Sequence, residues 1–314
     1  MRSLIFALAL VTGLAPQMAA AKGGQVALTF DDLPALTLVH AQPYVDYAND
    51  MILRGLKAHH LPAIGFVNEG KLDDMDRTSQ IANLRKWRDA GMALGNHTFS
   101  HESPNGIHAS AYTDDIAKGE PVTRALLAER HQTLRWFRHP YLETGDSRAE
   151  KTGIDVWLTR HGYRIAPVTM ENADWMFAEP YDDAAARKDV VEAARIRNEY
   201  LRYTDRMVGW YQRAGRDLFG RDIAHVMLLH VTRLNADSID DLAAILTRHR
   251  LKAIGLDQAM KDPAYRLHDP YVGADGIEWL ERWSLELHRE LPWNDFADPP
   301  KDIEADYHRL DPDH

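Results

Sequence analysis

Short apolar runs alternate along this chain with longer stretches of helical period. The short runs predict strands over residues 25–30, 63–67, 92–94, 134–137, 163–168, 224–229 and 251–254. Between them, the spacing predicts helices over 44–59 and over 78–90, where Ile81, Leu84 and Trp87 recur at helical spacing and Gly91 supplies the stop. A third helical run, 109–128, is expected to break near Pro121, because proline can begin a helix but disrupts an existing one. Residues 184–210 read as one long helix whose apolar positions, Val190, Val191, Ala194, Tyr200, Tyr203 and Met207, form one stripe. Further helices are expected over 240–249, 257–260 and 276–290. Alternating strand and helix is the pattern of βα units and a mainly parallel sheet, so the fold class is α/β.

Past residue 262 prolines punctuate the chain, and Trp279, Trp283 and Trp293 fall in this tail. They are expected to seal the fold against solvent, with stacking on sugar rings as the alternative. The long helical stretch, about 183–219, exceeds what a crossover needs and reads as a packing insertion. No Pro/Gly/Ser-rich linker and no internal repeat divides the rest, which is long enough for one large domain.

The amino terminus changes the picture. A basic start at Arg2, an apolar run from Leu4 to Val11 and small residues at Ala19 and Ala21 read as a secretory signal peptide, cleaved near Ala21. Its apolar stretch is shorter than the roughly 20 residues a bilayer span needs, so no stable membrane insertion is expected after cleavage, and a periplasmic or secreted location is. The chain has no cysteine, which excludes disulfides, thiolate ligands and a lipid-modified cysteine. Its net charge of −10 argues against a nucleic-acid partner, which would need a basic face. Oligomeric state is not legible.

Chemistry gathers where predicted strands end. Val26, Leu28 and Phe30 share one face of the first strand, and Asp31 and Asp32 are expected to emerge into solvent at its carboxyl end. His97-Thr98-Phe99-Ser100-His101 follows the third strand. Two imidazoles, one carboxylate and a spare carboxylate describe a divalent-metal site with an open position, the composition of a hydrolytic centre. Three further strand ends carry Arg138-His139-Pro140-Tyr141, Asn172-Ala173-Asp174-Trp175 and Leu229-His230. Barrel and open α/β folds build their sites at that end of the strands.

On these five motifs, in this order, the chain resembles the polysaccharide deacetylase family, carbohydrate esterase family 4, which shares the NodB homology domain. The resemblance covers about residues 25–260 and leaves out the signal segment, the insertion and the tail. It implies a distorted (β/α) barrel of about seven parallel strands in a catalytic domain over 22–262; the tail outside it, 263–314, is expected to pack on the barrel as a C-terminal extension. The resemblance also implies that Asp32, His97 and His101 hold a divalent metal, zinc first and cobalt, nickel or manganese as alternatives. Asp31 would be the general base taking a proton from the attacking water, and Arg138 would pair with it and keep it ionised. The Tyr141 backbone N–H would stabilise the oxyanion. His230 would protonate the departing amine, with Asp174 holding its imidazole. Trp175 would form a pocket wall near the acetyl methyl, alongside Pro140 and Tyr141 on the substrate side. Thr98 and Ser100 are expected to brace the histidine loop.

The implied activity is removal of N-acetyl, or O-acetyl, groups from a glycan polymer or oligomer by an exported enzyme. A small-molecule amidohydrolase on the same scaffold and a non-catalytic carbohydrate-binding protein are the alternatives. Two departures bear on substrate choice: Leu33-Pro34 stands where the family has glycine, and Val231-Thr232 follows His230 where an acidic residue is common.

Overall fold

The computed structural model describes residues 23–311, so the expected signal segment lies outside the described residues. The chain runs β1 (Gln25–Leu33), α1 (Gln42–Ala58), β2 (Ala63–Val67), α2 (Arg77–Asp89), β3 (Ala93–Asn96), α3 (Ala109–Lys118), α4 (Pro121–Ala128), β4 (Trp136–Phe137), α5 (Arg148–Arg160) and β5 (Arg164–Ile165). It continues through α6 (Asp174–Ala186), α7 (Val190–Phe219), β6 (Ala224–His230), α8 (Arg233–Arg248), β7 (Lys252–Ala253), α9 (Leu256–Ala259), α10 (Trp279–Leu287) and α11 (Lys301–Leu310). The strands are all parallel, in the order β5-β4-β3-β2-β1-β6, with β7 paired to the start of β1. Beyond β5 the chain crosses to the other edge, where Met170 bridges Met227 of β6. The sheet therefore curls toward closure, as the expected barrel requires.

Alternation along β1 sorts its side chains to two cores. Val26, Leu28 and Phe30 pack outward against helices in the larger cluster, with Trp87 and Ile52. Ala27 points inward with Phe66, Trp136 and Val226. Tryptophans of the tail join the outer cluster, in which Trp283 is buried together with Phe30. Trp279 is also buried, while Trp293 remains 45% exposed and lies 5.3 Å from Trp210.

Several boundaries differ from expectation for physical reasons. The long helix expected over 184–210 is two helices. Lys188 takes a left-handed φ of 58°, and the Asp189 carboxylate caps the second by accepting the Glu192 N–H. Val190, Val191 and Ala194 belong to the exposed first turns of α7, so the buried stripe begins at Ile196 and continues through Tyr200, Tyr203 and Met207. The helix expected over 240–249 starts seven residues earlier, at Arg233, because Thr232 caps it through the Asn235 N–H. Pro121 does begin a new helix. Helices α5 and α11 had no specific expectation; α5 is capped by Ser147.

Candidate active site

Five chain segments bring their carboxyl-end residues to one rim of the curled sheet. The first correction to the sequence reading is here: β1 continues to Leu33, so both aspartates lie inside the strand, and both are buried, Asp31 at 2% and Asp32 at 4% exposure. Asp31 pairs in register with His230 of β6, which brings motifs separated by most of the chain side by side. The strand's exit is fixed by Asn49 of α1, fully buried, which donates to the Pro34 carbonyl at 3.0 Å and accepts from Trp87 Nε1 at 2.8 Å. Leu33 and Pro34 are joined by a cis peptide.

Arg138 leaves β4 and turns into the barrel, where it has no solvent exposure. Its guanidinium donates to Asp31 Oδ2 at 3.1 Å, to Thr29 Oγ1 at 3.2 Å and to the Ala166 carbonyl at 2.8 Å. It lies 4.8 Å from the Phe66 ring centre. Desolvation is the largest influence on Asp31 and raises its pKa above the ordinary carboxylate value; Arg138 and His230 pull it back only in part. Arg138 pairs with Asp31 as expected and favours its ionised form, while burial outweighs the ion pair and makes the carboxylate more basic than usual.

Asp32, His97 and His101 offer three ligand atoms within 4.8 Å of one another. His97 Nδ1 lies 2.9 Å from the Arg138 carbonyl, which leaves Nε2 facing the cluster. Burial lowers the pKa of both imidazoles to about 4, so they are neutral at neutral pH, the form that ligates. Burial opposes ionisation of Asp32, but the Lys71 ammonium, joined by the two imidazoles only where they are protonated, overcomes it and holds the carboxyl well below its ordinary value. Asp32 Oδ1 is buried and accepts no hydrogen bond. A buried, ionised carboxylate oxygen that accepts no hydrogen bond and has the Lys71 ammonium 3.3 Å away, beside two neutral imidazole nitrogens, fits a divalent cation, and the nitrogen–oxygen donor set suits zinc.

Backbone strain concentrates in these loops. Asp32, Thr98, His101, Tyr141 and Leu142 all take positive φ without being glycine. Such conformations persist only where surroundings over-determine them. Thr98 Oγ1 accepts the His101 N–H at 3.0 Å, as expected of a brace. The other brace is Asp115, not Ser100: its carboxylate accepts the N–H groups of Phe99 and Ser100 at 3.1 and 3.0 Å.

His230 ends β6, and its Nδ1 lies 2.8 Å from Asp174 Oδ1 at the start of α6. Burial would lower its pKa, but Asp174, with help from Asp32 and Asp31, pushes it up to about 9. Asn235 donates to both Asp174 Oδ2 and the His230 carbonyl, locking the pair.

The remaining predicted residues are less simply placed. Tyr141 is 43% exposed, its ring 4.7 Å from that of His101. Pro140 is buried, which corrects its assignment to the substrate side. Trp175 is half-buried and packs edge-on against Tyr307 of α11, 5.0 Å between ring centres. Sequence reasoning missed Lys71, Tyr307, Asn235 and the tail's approach to Tyr141. Of these only Asn235 carried a signal, since Thr232-x-x-Asn235 is the pattern of a helix start.

The polysaccharide deacetylase family model matches residues 19–157. A curated relative, the peptidoglycan-N-acetylglucosamine deacetylase of Bacillus cereus, is 27% identical over 154 residues, 48% of this chain and 46% of the relative. Over that segment the chain is similar to the polysaccharide deacetylase family. It spans less than half the length of that relative. Two solved deacetylase-family structures share the fold. One is a mutant of a carbohydrate esterase family 4 pseudoenzyme of Bacillus anthracis, 18% identical with a TM-score of 0.52, covering 77% of this chain and 68% of that chain. The other is a polysaccharide deacetylase from Bacillus cereus, 16% identical with a TM-score of 0.50, covering 74% and 91%. The polysaccharide deacetylase family match ends within α5, so Asp174 and His230 join the site through the fold and not through the matched segment.

Proposed function

We propose that this protein is an exported, metal-dependent deacetylase that hydrolyses N-acetyl groups on a carbohydrate polymer or oligomer. The observation that carries the reading is the convergence, at one rim, of three units of different charge logic. These are a neutral two-histidine and carboxylate cluster, a carboxylate of raised basicity paired to Arg138, and an imidazolium paired to Asp174. A pseudoenzyme among the structural neighbours means that fold alone does not carry activity. Retention of each charged group in this chain supports it.

An amide resists hydrolysis because water is a weak nucleophile, the tetrahedral oxyanion is unstable and the amine leaves poorly. A divalent ion held by Asp32, His97 and His101 would lower the pKa of water and polarise the acetyl carbonyl. Asp31, made more basic by burial, accepts the proton of the attacking water. Arg138 fixes the orientation of that carboxylate. The Tyr141 backbone N–H stabilises the oxyanion, a contribution of about 3 kcal/mol for such a donor. His230, protonated below about pH 9, delivers a proton to the departing amine, and Asp174 keeps its Nε2 directed at the substrate. Trp175 bounds the acetyl side. The peptidoglycan specificity of the Bacillus cereus relative makes N-acetylglucosamine polymers the first substrates to try.

The test is acetate release by the metal-loaded mature protein from N-acetylglucosamine oligomers and peptidoglycan. Release that needs metal and Asp31 supports the reading. Turnover of small cyclic amides with none on acetylated glycans would replace it with the amidohydrolase alternative.

A further inference from the structure

We infer that the C-terminal extension is a working part of the site, with Arg282 and Gly276 positioning the Tyr141 segment. This inference rests on the deacetylase reading, in which the Tyr141 N–H meets the oxyanion.

Tyr141 and Leu142 hold consecutive left-handed φ values of 55° and 59°. Neither is glycine, so something outside the segment must hold it. Beside the local turn bonds from the Leu142 and Glu143 N–H groups to the His139 and Pro140 carbonyls, contacts that hold it come from the tail. Arg282 of α10 has no solvent exposure, and its guanidinium donates to the Leu142 carbonyl at 2.7 Å and to Thr144 Oγ1 at 3.2 Å. The same group reaches Asp269 Oδ2 at 2.9 Å and the Ile277 carbonyl at 2.9 Å, and lies 4.2 Å from the Trp279 ring centre. Asp269 is in turn held by Lys151 of α5 at 2.6 Å. A planar, five-donor fork can join these acceptors at once, which an ammonium cannot.

Gly276 supplies the second restraint. It lies on the surface, yet a methyl added there would overlap the Tyr141 carbonyl oxygen and stand 2.9 Å from its carbonyl carbon. Both are backbone atoms, so the Tyr141 segment would have to move. Glycine is needed because the tail's backbone itself seats the segment. One residue past Glu278, the Trp279 N–H donates to the Val168 carbonyl at 2.7 Å, fastening the tail to the segment that runs from β5 to Asp174. The tail therefore touches the segments of both the expected oxyanion donor and the expected acid's partner. Arg282 meets no substrate in this arrangement and acts as a positioning residue.

The experiment uses the full mature chain and the variants Gly276→Ala, Arg282→Lys and Arg282→Met. Hydrogen exchange over residues 140–144 reads the restraint directly. Acetate-release kinetics and zinc titration calorimetry read its consequence. Gly276→Ala is expected to speed exchange in that segment at least about tenfold, and to lower kcat by roughly 10- to 100-fold with KM and zinc affinity within about twofold. Arg282→Lys, which keeps the charge opposite Asp269, should lose less than Arg282→Met. If Arg282→Met does not fold, Gly276→Ala decides. Unchanged exchange in a folded Gly276→Ala protein overturns the positioning role whatever the activity. Changed exchange with unchanged kcat overturns its catalytic consequence. A wild-type protein that releases no acetate from any acetylated glycan overturns the deacetylase reading, and is distinguishable because the exchange result stands apart from it.

Discussion

His230 and Asp174 hold each other twice: Nδ1 of the histidine lies 2.8 Å from one carboxylate oxygen, and the other oxygen accepts the histidine's own backbone N–H at 2.7 Å. The double contact fixes both the imidazole's direction and its charge. Because the folded pKa is raised from 6.5 to about 9, the pair's contribution to stability is complete below about pH 6.5 and is lost as pH rises through 9. The acid needed for amine departure disappears over the same range. Activity should therefore fall on the alkaline side near pH 9, and Asp174→Asn should move that limb toward lower pH and lower kcat by about 10²-fold. Rate profiles of both proteins between about pH 6 and 10 check this, and an alkaline limb that Asp174→Asn leaves in place contradicts it.

Asp31→Asn removes the proposed base without touching a metal ligand. Turnover should drop by about 10³-fold or more, while zinc binding by calorimetry stays intact. Substantial retained activity would remove Asp31 from the mechanism.

His97→Ala and His101→Ala should each lose metal, and chelation of the wild type should inactivate it reversibly, with zinc or cobalt restoring activity. Lys71 adds a finer prediction, because its Nζ stands 3.3 Å from Asp32 Oδ1 and repels an incoming cation. Lys71→Met should raise zinc affinity several-fold, roughly tenfold at most for a partly exposed charge. Weaker binding in that variant would show that Lys71 supports the cluster instead.

Arg138→Met would leave the Asp31 carboxylate buried without its cation, and Thr29 Oγ1 and the Ala166 and Pro167 carbonyls without the guanidinium donor. A loss of about 3–5 kcal/mol in denaturant unfolding is expected, since breaking a buried pair costs far more than an exposed one. Arg138→Lys should recover only part of it, because a lysine cannot reach Thr29, Asp31 and Ala166 together. Equal stability of Arg138→Met and the wild type would contradict the assignment.

The site's residue types were legible because each sits where an apolar run ends, and short strands leave a strong period in the sequence. Burial of Asp31 and Asp32 was not legible, since it depends on β6 and the Arg138 loop folding over β1 from distant parts of the chain. The break at Lys188 was hidden by residues that favour helix on both sides, and only the Asp189 cap marks it. Lys71 sits on a short 3-10 turn after β2 whose approach to Asp32 follows from sheet curvature, which no local pattern encodes. The tail's role was least visible. Trp279 and Trp283 announced a buried face, but Arg282 and Gly276 read as ordinary surface residues until the fold brings them to Leu142 and Tyr141.

The most direct test of the account is acetate released from N-acetylglucosamine oligomers by the zinc-loaded mature protein, measured beside Asp31→Asn loaded with the same metal. The account predicts steady release by the wild type and a loss of about 10³-fold in the variant at equal zinc content. Equal release by the two proteins, or none by the wild type on any acetylated glycan, would contradict it.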